Sequence, residues 1–285
     1  MFNFFANVFG YVLNYIYNIV QNYGFAIIIF TVLLKLCMLP ISINQQRTMK
    51  KNAKLQVKVK EIQAKYSNDQ ARQSQELMDL YKRENMTPFS GCLSSIVQFV
   101  IIISIFYLVS RPLTYMVHFD QEVLNQYVQE VSDKNSGKAS YQEIAVIREK
   151  SKDDERVALN MNFLGLDLSQ IPSQNYNDIK VFIIPVLYVL TSFASMKITA
   201  SMQKQQLKPT SEAEKTEEDE TMDEMSKTMT YMMPVMAVSI SLIAPLGLAL
   251  YWLVSNLLMI LERLLVNKIF KDEEDEESGE EKVAN

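Results

Sequence analysis

The sequence predicts an all-α membrane protein with five transmembrane helices, an N-terminal interfacial amphipathic helix and a cytoplasmic helical hairpin. Three observations carry that expectation. Long apolar blocks alternate with charged connectors, so the mean hydropathy of −0.01 averages two distinct populations. Lys and Arg crowd beside particular block ends and are absent from the first 34 residues. The polar stretch 42–91 has no Gly before Gly91 and no Pro before Pro88, so it is built to be helical.

In residues 1–22, Asn3, Asn7, Asn14, Asn18 and Gln21 recur at intervals of four, seven, four and three. Apolar residues fill most of the remainder. That period draws one narrow polar stripe down a helix suited to lying in a membrane interface. The first span, 23–41, reads YGFAIIIFTVLLKLCMLPI and contains Lys35. A lysine near the bilayer centre costs roughly 2.5–3.5 kcal/mol on insertion scales. At about 1.5 Å per residue it lies roughly 9 Å from the Ile41 end and 18 Å from Tyr23. Two readings are open. Lys35 either snorkels along its own stem to the interface or marks an intramembrane functional site. Pro40 is expected to stop or bend this helix.

Residues 42–91 carry an apolar stripe, Leu55, Val59, Ile62 and Tyr66, then a Ser67-Asn68-Asp69 turn. Ala71, Ser74, Met78 and Tyr81 give a second, weaker stripe, so two antiparallel arms are expected. Arg47, Lys51, Lys54 and Lys58 share one face of the first arm. They are suited either to anionic headgroups, at about 1 kcal/mol per basic residue, or to a solvated face.

Span two is 92–110 and holds Gln98. A connector, 111–178, follows, with helices expected at Gln121–Ser132 and Gln142–Lys150. Span three is 179–198, and a polar loop, 199–227, carries an acidic run. Spans four and five, 228–244 and 245–266, part only around Pro245 and Gly247. An acidic tail, 267–285, is expected to be irregular. The two cysteines, Cys37 and Cys92, fall near one membrane face and are expected as packed thiols. No basic n-region marks a cleavable signal peptide.

The positive charges set orientation. The hairpin is dense in Lys and Arg, Lys197 and Lys204 follow span three, and Arg263, Lys268 and Lys271 close span five. The expectation is a multi-pass membrane protein, N-terminus outside and C-terminus cytoplasmic. Lys35 then sits in the cytoplasmic leaflet.

Chemistry is narrowly bounded. The glycines form no phosphate-cradling loop, no cysteine or histidine cluster suggests a metal, and there is one histidine, His118. No cofactor, catalytic residue or nucleic-acid recognition is expected. A Thr31–Lys35 nucleophile–base pair is disfavoured, because nothing resembles an oxyanion hole. What remains is a set of polar groups at span depth: Thr31, Lys35, Gln98, Thr191, Ser192, Ser195, Ser255 and Asn256. Singly, the hydroxyls read as helix-packing glue. Together with an intramembrane cation they point to a hydrated cavity open to the cytoplasm.

Three stretches carry a resemblance: YGFAIIIFTVLLKLCMLP, the hairpin KLQVKVKEIQAKYSND…QELMDLYKRENMTPFSGCL, and YMMPVM…APLGLALYWLVSNLLMI. They resemble the YidC family of bacterial membrane-protein insertases, which has mitochondrial and chloroplast relatives. The resemblance implies a chaperone that receives nascent membrane-protein clients in a hydrophilic groove, alone or beside the Sec translocon. Lys35 matches the position where the family usually has arginine, Thr31 a groove-lining position, and Trp252 an aromatic that contacts the client. Gln98, Ser255 and Asn256 complete the expected groove, and Arg47, Lys51, Lys54 and Lys58 the expected lipid contact.

The departures are specific. Lysine keeps the charge but loses the bidentate fork. Ser94 and Val100 stand where the family has prolines near the start of span two. An insertion, Val117–Leu159, precedes the family-like MNFLGLDLSQIPS, and the acidic tail is unlike the basic tails through which some members contact ribosomes. Ribosome contact, if made, is expected elsewhere. The alternative reading is a small secondary transporter for an anionic solute, against which stands the lack of a visible inverted repeat. Finally, Glu262 lies about 6 Å from the Val266 end of span five, at a depth similar to Lys35. It either snorkels to a surface base or partly neutralises the lysine across the groove.

Overall fold

The computed structural model describes residues 2–67, 69–84, 90–134, 141–206 and 239–283. Side chains are described except at 49–50, 53–54, 56, 90–95, 200, 202–206 and 267–283. Helix α1 runs Phe2–Val20, α2 Tyr23–Lys65, α3 Gln70–Arg83 and α4 Ser90–Ser110. The connector supplies a π-helical turn at Leu113–Val117, then α5 (Gln121–Lys134) and α6 (Gln142–Lys150). A two-residue antiparallel ribbon, β1 (Asn162–Phe163) with β2 (Leu166–Asp167), is a small exception to the all-helical expectation. Helices α7 (Ile183–Gln206) and α8 (Leu246–Val283) complete the fold.

Among the described residues, three helical segments are long and apolar enough to cross a membrane: Tyr23–Thr48, Ile179–Thr199 and Leu246–Val266. Expected span two contributes a shorter described apolar stretch, Ile96–Ser110. Most of expected span four lies outside the described residues, with helical backbone at 239–243.

Helix α1 ends where Gln21 takes a left-handed φ of 53°. Asn22 then caps α2, its carboxamide accepting from Phe25 N at 3.2 Å and donating to Asn162 O at 2.7 Å. A narrow face of α1, Ala6, Gly10, Leu13, Ile16 and Tyr17, buries against the protein. Gly10 is required there, because a Cβ would run into the backbone carbonyl of Tyr115. Phe4, Tyr11, Tyr15 and Ile19 stay largely exposed, an apolar outer stripe beside the polar one.

Several local expectations are corrected. Helix α2 does not stop at Pro40; the proline sits inside one continuous helix of 43 residues. A proline forfeits a single backbone hydrogen bond, which a long helix packed at both ends tolerates. Helix α3 buries Leu80 against Leu55 and Val59, with Ile62, Leu77 and Tyr81 around them. Of the second stripe, only Tyr81 joins this contact: Ala71, Ser74 and Met78 are exposed. The arms meet instead along Leu77, Leu80 and Tyr81, the i, i+3, i+4 face that holds the two leucines. Cys37 is an exposed free thiol rather than a packed one, and the Cys92 side chain lies outside the described residues. The acidic run 272–281 continues α8, glutamate being a good helix former.

The connector closes one end of the bundle. Asn160 O accepts from Tyr23 N at 3.0 Å, Gln170 O from Leu246 N at 2.9 Å, and Leu168 O from Gly247 N at 3.0 Å. Asn160 N in turn donates to the Tyr17 hydroxyl at 2.8 Å. One short segment thereby satisfies orphan N–H groups at the starts of α2 and α8. Gly24 lets the Phe163 ring press onto α2, where a Cβ would clash. Farther out, Thr114 donates to buried Glu143 from its amide at 3.0 Å and its hydroxyl at 2.6 Å, pinning α6 to the π-helical turn. Burial holds the Glu143 carboxyl above its ordinary range despite these donors.

Candidate functional site

Burial along α2 changes abruptly. Tyr23, Ala26, Ile27, Phe30 and Thr31 are all buried; after Thr31 no described residue is buried until Leu55. The other helices thin out in the same direction. In α8, Leu246, Leu248, Ala249, Leu250, Tyr251 and Leu253 are buried, whereas Leu257, Leu261, Leu264 and Leu265 are exposed. In α4, Ile101, Ile105, Leu108 and Val109 are core residues, and residues 96–99 are exposed. The bundle is packed at the connector end and open toward the end carrying α3.

Polar side chains step down through this transition. Helix α8 packs against both α2 and α7 and supplies the central ladder. Trp252 is half-buried with its ring centroid 6.1 Å from that of Tyr188. One turn on, the buried Asn256 amide donates to Thr191 Oγ1 at 3.2 Å and Ser192 Oγ at 3.1 Å on α7. Ser255, next to it, bonds the Tyr251 hydroxyl. Two turns further, Glu262 and Arg263 point to different sides, successive helical residues being about 100° apart. Arg263 hydrogen-bonds Thr199 on α7, whose hydroxyl also donates to Ser195 O at 2.8 Å. Glu262 accepts a hydrogen bond from Ser42 of α2, and its Oε2 lies 3.9 Å from Lys35 Nζ.

The helix-interior spacing explains this convergence. Thr31, Lys35 and Ser42 on α2 are four and seven residues apart, as are Trp252, Asn256 and Arg263 on α8. Each set keeps to one face. At about 1.5 Å per residue, Lys35 and Glu262 stand roughly 18 and 24 Å from the closed ends of their helices.

The expected residues do not all share this seam. Lys35, Trp252, Ser255 and Asn256 lie along it. Thr31 is wholly buried at its closed end, with its hydroxyl donated to Ile27 O at 2.6 Å. Gln98 is exposed on α4 with no hydrogen-bond partner among the described residues. Arg47 and Lys51 are exposed on α2, while Lys58 is paired with Glu84 at 2.5 Å. The Lys54 side chain lies outside the described residues. Ser42, Thr199 and Arg263 were not expected as site residues; their seven- and eight-residue spacing from Lys35, Thr191 and Asn256 is the signal that places them.

The model of the family described as 60Kd inner membrane protein matches residues 15–274. The chain belongs to that family. The curated relatives of the 60Kd family include a "Membrane protein insertase YidC" of Geobacter metallireducens, 26% identical over 90% of this chain and 35% of its own length. Another of that name, from Syntrophus aciditrophicus, is 28% identical over 90% of this chain and 35% of its own length. "Membrane protein insertase YidC 2" of Listeria innocua is 27% identical over 90% of this chain and 68% of its own length. The chain therefore spans about a third of the first two relatives and two thirds of the third. None of these names is a transporter's, so the anion-transporter alternative gains no support.

Proposed function

We propose that this protein is a membrane-protein insertase and chaperone, receiving client transmembrane segments in a hydrophilic groove and releasing them sideways into lipid. One observation carries the reading: three apolar helices packed shut at one end enclose a descending polar seam that ends at a charged pair on the open side. Polar groups at membrane depth are costly unless they face a wet or protein-lined space. A groove that shortens the polar path across the bilayer gives them that place.

In this reading the chain has five spans, with the N-terminus outside, the C-terminus cytoplasmic and the seam opening to the cytoplasm. Lys35 attracts the client's acidic residues part-way in. Trp252, Asn256 and Ser255 line the path, with Thr31 at its floor and Gln98 on the α4 wall. Arg47, Lys51, Lys54 and Lys58 meet lipid headgroups as the α2–α3 hairpin rides on the membrane. No nucleotide is needed. Burying the client's apolar segment supplies about 25 cal/mol per Å². Moving a negative charge outward adds about 2.3 kcal/mol per 100 mV of inside-negative potential. Nascent clients arrive directly or beside the Sec translocon, and ribosome contact does not use the acidic tail.

The test is reconstitution. A single-span client with a short acidic external tail is offered to liposomes containing the purified protein and to empty liposomes. Protease-protected tail should accumulate only with the protein. Equal protection in both would overturn the insertase reading.

A further inference from the structure

We infer that Glu262 is a built-in stand-in for the client's carboxylate: it occupies the groove cations when no client is present and yields to an incoming acid. The proposal rests on the groove reading above and concerns how that groove chooses its clients.

The geometry has the features such a placeholder needs. Lys35 and Glu262 come from different helices and approach to 3.9 Å, with side-chain exposures of only 23% and 11%. That separation exceeds the ~2.7–2.9 Å of a tight charge-assisted hydrogen bond. Charge is compensated, yet the lysine is not locked to its partner. The carboxylate also accepts from Ser42, about two helical turns beyond Lys35 toward the open end. Ser42 thus offers a resting place for the carboxylate once the lysine is taken. Arg263 acts electrostatically on both Lys35 and Glu262 while its guanidinium is held by Thr199 on α7. Among the described residues, then, two cations act on one anion from different sides.

That imbalance sets a selection rule. An acidic client residue that displaces Glu262 exchanges one carboxylate for another, so Lys35 is never left desolvated and unpaired, the arrangement that costs most. A neutral client segment has nothing to exchange and must pass beside an intact ion pair. Arg263 keeps the seam net positive with Glu262 in place, so an acid is drawn in before the exchange.

The experiment compares two single-span clients, one with an acidic and one with a neutral external tail, in proteoliposomes of zwitterionic lipid. The readout is the ratio of their initial insertion rates. Glu262→Gln keeps the acceptor for Ser42 but removes the competing charge, and should raise the acidic-to-neutral ratio about tenfold, the low end for coupling between close charges. Glu262→Asp should stay near wild type. An unchanged or reduced ratio in Glu262→Gln overturns the proposal. If that variant does not fold, wild-type protein gives the answer: carbodiimide coupling at Glu262, read by mass spectrometry, should rise several-fold with the acidic client alone. No rise, or an equal rise with the neutral client, overturns it. Lys35→Gln separates the two levels of argument. If it inserts the acidic client as well as wild type, the groove reading fails. If it fails to insert while Glu262→Gln leaves the ratio unchanged, only the placeholder is wrong.

Discussion

The two halves of the membrane segment of α2 belong to the same helix and obey opposite rules. From Tyr23 to Thr31 nearly every turn is buried, and Gly24 lets the Phe163 ring approach the backbone. From Leu33 to Ile41 no residue is fully buried: Leu33 is 45% and Leu36 60% exposed, while Leu34 and Met38 are only partly buried against the core. The first half is packed on its inner face, with Phe25 and Ile29 exposed on the outer one. The second half is a wall, apolar outside, with a single charge held inward by another helix. Both halves are apolar, residues 23–31 through three Ile and two Phe and residues 33–41 through four Leu, and that difference does not decide which is packed. What separates them is the connector, which staples the starts of α2 and α8 and, among the described residues, makes no backbone hydrogen bond to their far ends.

The largest break in that contrast comes from reversing the charge of the open half. Lys35→Glu places two carboxylates together at Glu262 and should abolish insertion of acidic-tailed clients. Lys35→Ala should also fail, and Lys35→Arg should stay near wild type. All three should melt close to wild type in detergent, because little packing depends on this half. A substantial loss of melting temperature in Lys35→Arg would show that the open half is structurally rigid after all.

Next in size is the opposite break. Gly10→Val drives a branched side chain into the Tyr115 carbonyl. Backbone cannot yield as a side chain tip can, so a loss of about 3 kcal/mol in stability is expected, at the upper end for overpacking. Gly24→Val, which meets the more forgiving Phe163 ring, should cost less, about 1–2 kcal/mol. Chemical denaturation of the two variants checks both the sign and the order.

A smaller effect concerns pH in the connector, where two carboxylates respond in opposite directions. Burial raises Glu143 in the folded state, so its contribution to stability is fully present below the ordinary carboxyl range and is lost as pH rises through the higher folded value. Asp154 is pulled down to about 2 by Arg156, so its contribution is present above the ordinary value and is lost only as pH falls through about 2. The Thr114 amide, corrected for intrinsic exchange, should therefore be better protected near pH 5 than near pH 7. Glu143→Gln should flatten that slope. A slope surviving in Glu143→Gln would assign it to another group.

The sequence announced the apolar blocks, the connector helices and the charged residue at 35, because each is local: a run, a period or a charge out of place. It announced the depth match of Lys35 and Glu262 but not their pairing, which depends on α8 packing against α2. Thr31 was legible as a residue on the Lys35 face. Whether its hydroxyl was free was not, since a threonine in a helix can return its proton to the i−4 carbonyl regardless of neighbours. Pro40 misled for a similar reason: a local breaker is overruled when tertiary contacts hold the helix on both sides. The second hairpin stripe was misread because Leu77 and Leu80 fit a helical period as well as Ser74 and Met78 do, and period alone does not rank two faces of a polar helix.

The smallest expected effect is a test of how far the open half extends. Beyond Ser42, whose hydroxyl still bonds Glu262 of α8, the described buried contact of α2 is with α3, through Leu55, Val59 and Leu80 with a thin surround. Two helices sharing so few buried side chains are marginal by themselves. Their exposed Lys58–Glu84 pair adds at most about 1 kcal/mol. Amides of Gln70–Arg83 should therefore exchange at least about a hundredfold faster than those of Tyr23–Thr31, reflecting local opening that leaves the bundle intact. Leu80→Ala, costing about 2–4 kcal/mol locally, should raise exchange in α3 further. It should leave protection at Tyr23–Thr31 unchanged, because no described residue between Ser42 and Leu55 is buried to carry the loss inward. If α3 is instead as well protected as Tyr23–Thr31, or if Leu80→Ala loosens both, the hairpin is docked on the bundle and the helix has one stable body rather than two.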